Sequence, residues 1–337
     1  MGYAAISCLG DALDATEDFL LPVDRGVWLR LAVVVFFLSG GSGVGSLPNF
    51  SWQIGAGDVG GSVDTPPPDA APVEFVEEYL PLIVGVVAVF ALVGLVFSFV
   101  GSVMEFVLVD ALRQESVSVR EMFREHVRKG LSLFAFQFAL FVLTLGIVGG
   151  TGAVLVWPAI DGGDAALAFG VLLTGLVAVF VVVLAALVYV ATVAFVVPTM
   201  LAEDRGLRSA WGRFWGVLRG NIAQFLVYAA VRVALLVGLG VVAGTVVGIV
   251  GFLLVIPFGI LAGIVFFGTG GTLSVGVAVG LGVLAVLYVL TLLAAVAIVQ
   301  VPLKTYTRYY ELLVLGDIDS ELDLVAERRE DLRSDPL

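Results

Sequence analysis

The run IAQFLVYAAVRVALLVGLGVVAGTVVGIV, residues 222–250, decides the fold class. It carries one charged side chain, Arg232, and it is longer than the ~20 apolar residues that cross a bilayer as a helix. Apolar sequence then continues almost unbroken to Pro302, with Pro257 and the 268–271 glycine-rich stretch as its strong punctuation. The rest of the chain matches this run. Over 337 residues, 60% are hydrophobic and only 14% charged, and the mean hydropathy is +1.09. A soluble domain cannot hide so much apolar surface in its own core, so the chain must use lipid as a solvent. The reading is an all-α, polytopic transmembrane helix bundle.

The placement of positive charge orients it. The 17 Lys and Arg residues form clusters at 25–30, 113–129, 205–219 and 304–333, with Arg232 alone inside an apolar run. The alternate connections, 44–78, 158–164 and 251–273, hold no basic residue. Basic loops stay cytoplasmic, so every second connection is inside and both termini are cytoplasmic in a cell-membrane protein. The pattern predicts about six spans, near 27–45, 79–109, 131–157, 165–197, 222–250 and 274–302, with an outer linker at 46–78. Pro257 then falls at a partly inserted turn between the last two. An N-terminal interfacial helix over 1–24 presents Ile6, Leu9, Leu13 and Leu20 on one face. Its carboxylates are unlike the basic lead of a secretory signal, so the first span is expected to remain uncleaved. Residues 304–337 read as an acidic cytoplasmic tail, partly helical or disordered and solvated from Asp317 onward.

The basic connections carry amphipathic patterns. Ser118 and Glu121 have capping-box spacing, and the helix they open places Val119, Met122, Phe123 and Val127 on one face, with Arg120, Arg124 and Arg128 elsewhere. In the next inner connection Leu207, Trp211, Phe214, Trp215 and Leu218 form a stripe flanked by Arg208, Arg213 and Arg219. Both patterns fit interfacial amphipathic helices on the cytoplasmic side, and both equally fit helices packed on the inner ends of the spans. The two connections also echo each other. Each ends in a basic-Gly pair, Lys129-Gly130 and Arg219-Gly220, that opens the next span, and Val301-Pro302 repeats Val197-Pro198. The prolines read as span ends.

Arg232 is the chief functional pointer, because an ionisable group within a span is costly and usually faces a bundle interior or a water-filled cavity. Gln224, Tyr228 and Arg232 stand at i, i+4 and i+8 on one helical stripe. Arg232 lies about 18 Å along the helix from Gly220, and Glu105 about 12 Å before Arg113, so the two reach similar depths and are expected to pair. The lone His126 suits either a structural role or a pH switch. Asn49-Phe50-Ser51 fits a glycosylation acceptor on the outer side.

Convergent catalytic groups are missing. One Cys and one His leave no metal-ligand spacing, nucleophile elbow or phosphate loop, which argues against enzyme activity and against a cofactor. A net charge of -12 with only two lysines, Lys129 and Lys304, suits a high-salt cytoplasm and disfavours nucleic acid.

Three stretches carry a resemblance: Asp14-Ala15-Thr16 with 21–32 (LPVDRGVWLRLA), Val197-Pro198 through Glu203-Asp204-Arg205-Gly206 to 211–215 (WGRFW), and 308–317 (RYYELLVLGD). They resemble an uncharacterised multi-pass membrane family of halophilic archaea, and more distantly the layout is similar to the membrane domain attached to some glycerophosphodiester phosphodiesterases. The chain lacks the attached catalytic domain, so that activity does not carry over. The sequence therefore points to a noncatalytic membrane scaffold that organises lipids or partner proteins. The competing class is a transporter or permease with a polar site around Arg232. The bilayer is the expected partner in either case, with a membrane or cytoplasmic protein as a further one.

Overall fold

A computed structural model describes residues 4–41, 72–156, 164–272 and 274–334. Among them the secondary structure is helical throughout. The elements are α1 (Ala4–Leu20), α2 (Arg25–Gly41), α3 (Pro72–Arg113), α4 (Val119–Leu155), α5 (Asp164–Ala191), a π turn (Thr192–Val196), α6 (Val197–Ala202), α7 (Leu207–Gly220), α8 (Ile222–Gly268), α9 (Val275–Ile318), a 3₁₀ turn (Ser320–Leu322) and α10 (Ala326–Ser334). Five helical segments among the described residues are long and apolar enough to cross a membrane: Leu80–Arg113, Val119–Leu155, Ala165–Ala202, Ile222–Gly268 and Val275–Ile318. The described part of the expected first span, α2, has 17 residues. Asn49 and the 66–68 prolines lie outside the described residues.

The helices pack as neighbours in sequence, α2 on α3, α3 on α4, α4 on α5 and α8 on α9, while α9 also takes α1 and α2. The buried core is gathered at one end. It is built from the C-terminal parts of α3 and α9, the starts of α4 and α8, and α1, α2, α6 and α7. All four basic clusters meet there. Arg30 donates to the Val117 carbonyl at 2.9 Å, Lys129 pairs with Asp204 at 2.6 Å, Arg213 reaches Asp319 at 2.8 Å, and Arg328 reaches Asp18 at 2.6 Å. Toward the other end the large apolar side chains are mostly exposed, through 80–96 on α3, 169–187 on α5 and 233–264 on α8. A helix that is apolar all round and unburied in protein is one solvated by lipid.

Several expectations change. Pro257 lies inside α8, which runs 47 residues without a break, so the inserted turn is absent. Pro lacks an N–H, but a single lost bond is tolerated in a long apolar helix. The reversal comes instead at Gly270 and Gly271, whose φ values of 88° and 70° are accessible to glycine. Pro302 does not end its helix either, since α9 continues through it to Ile318. The tail boundary at 304 thus falls within a helix. Just beyond that boundary, Tyr309, Tyr310 and Leu312–Leu315 are fully enclosed.

The first inner helix is likewise no separate element, because α4 joins it to the next span. Ser118 is its N-cap residue but makes no side-chain cap bond, so the capping box does not close. The fully buried stripe is Met122, His126, Gly130 and Leu133, with Val119 and Phe123 half-buried against the core beside it, while Arg120, Arg124 and Arg128 are exposed. Gly130 explains the fit. A Cβ there would lie 2.8 Å from the Val103 Cα, so only glycine lets α3 and α4 approach this closely. In α1 the inward face is Ala5, Cys8, Ala12 and Ala15 rather than Ile6 and Leu13, which are 56% and 50% exposed. Small side chains let α1 lie close on α9, where Tyr310 donates to the Ala5 carbonyl at 3.0 Å.

Candidate functional site: a buried chain of ion pairs

Four charged side chains from three helices form one chain. Arg232 on α8 meets the Glu311 Oε1 at 2.6 Å. The other oxygen of Glu311 accepts from Arg308 one turn back on α9, at 3.0 Å. Arg308 also pairs with Glu105 on α3. Glu105, Arg308 and Glu311 are no more than 6% exposed, and the Arg232 side chain is 26% exposed. The expected pairing of Arg232 with Glu105 is therefore indirect, and Glu311 and Arg308 stand between them. Two guanidinium groups face two carboxylates, so the chain is neutral. That balance matters because desolvation costs several kcal/mol per ion and is repaid only by close, well-directed partners.

Arg308 has a third acceptor, the Val193 carbonyl at 2.8 Å, and the local sequence accounts for its being free. In α register Val193 would bond to the N–H of residue 197, but in the π turn that N–H goes to the Thr192 carbonyl. The next donor along would belong to Pro198, which has none. Val193 is left with an orphan carbonyl inside the protein, and the Arg308 fork satisfies it. Pro198 therefore supports the site.

The expected stripe on α8 divides into separate tasks. Gln224 accepts from the Ala4 N–H at 3.2 Å, tying down the start of α1. Tyr228 is buried, stacked on Tyr310 with centroids 5.9 Å apart and edge-on to Phe195 at 4.8 Å. Phe195 in turn stacks on Phe214 of α7 at 5.4 Å. An aromatic wall thus connects the ion chain to the amphipathic helix.

On α7, Ala210, Phe214 and Val217 face inward. Arg208, Trp215 and Arg219 face out, with the Arg219 guanidinium 5.0 Å above the Trp215 ring, a cation–π contact. Trp211 and Arg213 belong to the protein rather than to an outer surface. Trp211 is half-buried against Phe136 and Phe214. Arg213 holds Glu203 at 3.3 Å and Asp319 and Glu321 at 2.8 Å, and so clamps α7 to the end of α9.

His126 is buried, with its Nε2 3.0 Å from the Asp110 Oδ2. Together with Glu125 these residues bring three ligand atoms within 4.8 Å of one another, and this is where the chain could hold a cation. The imidazole and Asp110 already satisfy each other. Elsewhere in the basic end, Lys129 hydrogen-bonds the exposed Asp204 and holds its carboxyl below the usual carboxylate range. Cys8 is enclosed beneath Asp317 and Arg333, and burial, then the Asp317 charge, pushes its thiol up to about 12. Two open surface concavities are lined by Arg329, Glu330, Arg333 and Ser334 and by Arg120, Glu121, Arg124 and Glu125. Neither is lined by a member of the ion chain.

The sequence reading missed Arg308 and Glu311. Their signal was present as Lys304, Arg308 and Glu311 at i, i+4 and i+7, followed by the apolar run of Leu312–Leu315. The charge of the segment concealed its burial.

No curated protein and no solved structure matches the chain. A family model does match, over residues 3–325, and it takes in the ion chain, the π turn and α7. The chain therefore belongs to the family of unknown function DUF7544.

Proposed function

We propose that this is a noncatalytic integral membrane protein whose basic-end core organises lipids or partner proteins. One observation carries the reading. The charge of Arg232, which a transport site would keep for a substrate, is spent on Glu311, and the chain beyond it is closed and neutral. Around this core, exposed basic residues on two helices, Arg120, Arg124 and Arg128 on α4 and Arg208 and Arg219 on α7, supply lipid or partner contacts. Trp215 adds an amphipathic ring at interface depth. In this reading the protein lies in the cell membrane with both termini cytoplasmic, following the basic clusters.

The test is an Arg232→Cys substitution in a Cys8→Ser background, probed with membrane-impermeant thiol reagents from each side. Arg308 still pairs Glu311 in this variant, so the core retains most of its partners. Protection at position 232, with a cysteine at the exposed Ser209 position labelling normally, is the expected result. Labelling at 232 would establish an aqueous path to the ion chain and turn the assignment to a transporter or permease.

A further inference from the structure

The charge count of the buried chain leaves one cation over. Glu105 and Glu311 are matched by Arg232 and Arg308. Lys304 sits one turn before Arg308 on the same face of α9 and feels the field of all four, Glu105 foremost. It nevertheless makes no ion pair and no hydrogen bond among the described residues, because both carboxylates are already taken by guanidinium groups. Toward the membrane interior, one further turn along, Gln300 is engaged with Ser39 of α2 at 2.6 Å. The polar groups one turn away on α9 in either direction are thus engaged with other residues.

Lys304 is also half-buried. It stands where the apolar run of α9 gives way to the charged core, which is the depth of lipid headgroups. An ammonium beside two guanidinium groups, in a partly desolvated setting, is stabilised by an anion that the protein does not supply. Lysine binds phosphate as a point charge and needs no planar fork.

We propose that Lys304 is a binding site for the phosphate of an anionic phospholipid, seated at the membrane-side edge of the ion chain. The site rests on the membrane-scaffold reading and gives it a lipid class. Through Lys304, a bound headgroup neutralises the one surplus charge of the core and ties that core to the leaflet it faces.

The experiment uses the full chain in detergent. Its thermal unfolding is followed alone and with short-chain phosphatidylglycerol, short-chain phosphatidylcholine or inorganic phosphate at equal concentration. Phosphatidylglycerol is expected to raise the midpoint of the wild type by about 5 °C at saturation, and the other two much less. Lys304→Met is expected to lose most of that rise and to unfold, without lipid, at or above the wild-type temperature, since the surplus charge is gone. Lys304→Arg is expected to keep the rise.

Three outcomes would overturn the proposal. One is a rise that persists in Lys304→Met, which would place lipid binding on the exposed arginines. The second is a lipid-free Lys304→Met less stable than the wild type, which would make Lys304 a structural partner of Glu105. In the third, inorganic phosphate reproduces the whole rise, making the ligand a free anion. None of these depends on whether position 232 is accessible, so the scaffold reading stands or falls separately.

Discussion

Tyr310 and Phe252 lie on neighbouring helices, yet the first is fully enclosed and the second is 71% exposed. The two ends of the molecule differ in the same way. At the basic end, helices are locked by glycine contacts, stacked rings and shared ions. At the other end the same helices turn most of their apolar side chains outward. The contrast follows from the solvent. Lipid accepts Leu, Val and Phe without penalty, so apolar surface there gains little by packing on protein. Charges find no such substitute and must find one another. Specific structure therefore concentrates where the polar groups are.

Four predictions probe that contrast, in falling order of effect. The first concerns Cys8. A thiol pushed to about 12 by burial reacts, at pH 8, about 1,000-fold more slowly than the same residue in the unfolded chain, where its value is about 8.5. Because the folded value is the raised one, this group's stabilisation is full below the unfolded value and is lost as pH rises through the folded one. Rapid labelling of native protein at pH 8 would mean that α1 does not stay closed on α9. In the second, Glu311→Gln removes the negative charge shared by Arg232 and Arg308, turns one accepting oxygen into a donor, and is expected to cost about 3–5 kcal/mol, read from thermal or denaturant unfolding in detergent.

The third compares the two basic-Gly pairs. Gly130→Ala forces a Cβ onto the Val103 backbone and should cost about 1–3 kcal/mol. Gly220→Ala meets nothing within 4 Å and should leave the unfolding midpoint unchanged. Equal effects would erase the distinction between the two connections. The smallest effect is expected at the lipid-facing end, where Phe252→Leu should change stability by no more than about 0.5 kcal/mol. A larger loss would show that this face is packed against protein.

The helical membrane class and the long apolar helices were legible in the sequence, because both rest on composition, and Arg232 drew notice as a charge standing where charge is costly. Other features depended on tertiary burial, which overrides local signals. Pro302 reads as a helix end, but the buried face of Tyr309, Tyr310 and Leu312–Leu315 outweighs one lost backbone bond and carries α9 onward. The segment after Lys304 reads as the start of an acidic tail because its charges are visible and their partners are not. Glu105, Arg232 and Glu311 are separated by long stretches of chain, and a single sequence does not reveal which of them meet. The use of Pro198 was hidden for another reason. Its effect falls on the carbonyl of Val193, five residues earlier, and only the π turn explains it.

If the ion chain acts as one buried structural unit, its members must depend on one another, and a double-mutant cycle on Arg232 and Glu311 tests that dependence most directly. Arg232→Met, Glu311→Gln and the double variant would be unfolded under identical conditions. The expected result is a loss for each single variant and a double-variant loss smaller than their sum by about 1–3 kcal/mol, since removing both partners leaves fewer charges unpaired. Strictly additive effects, with both single variants close to wild type, would contradict the buried unit.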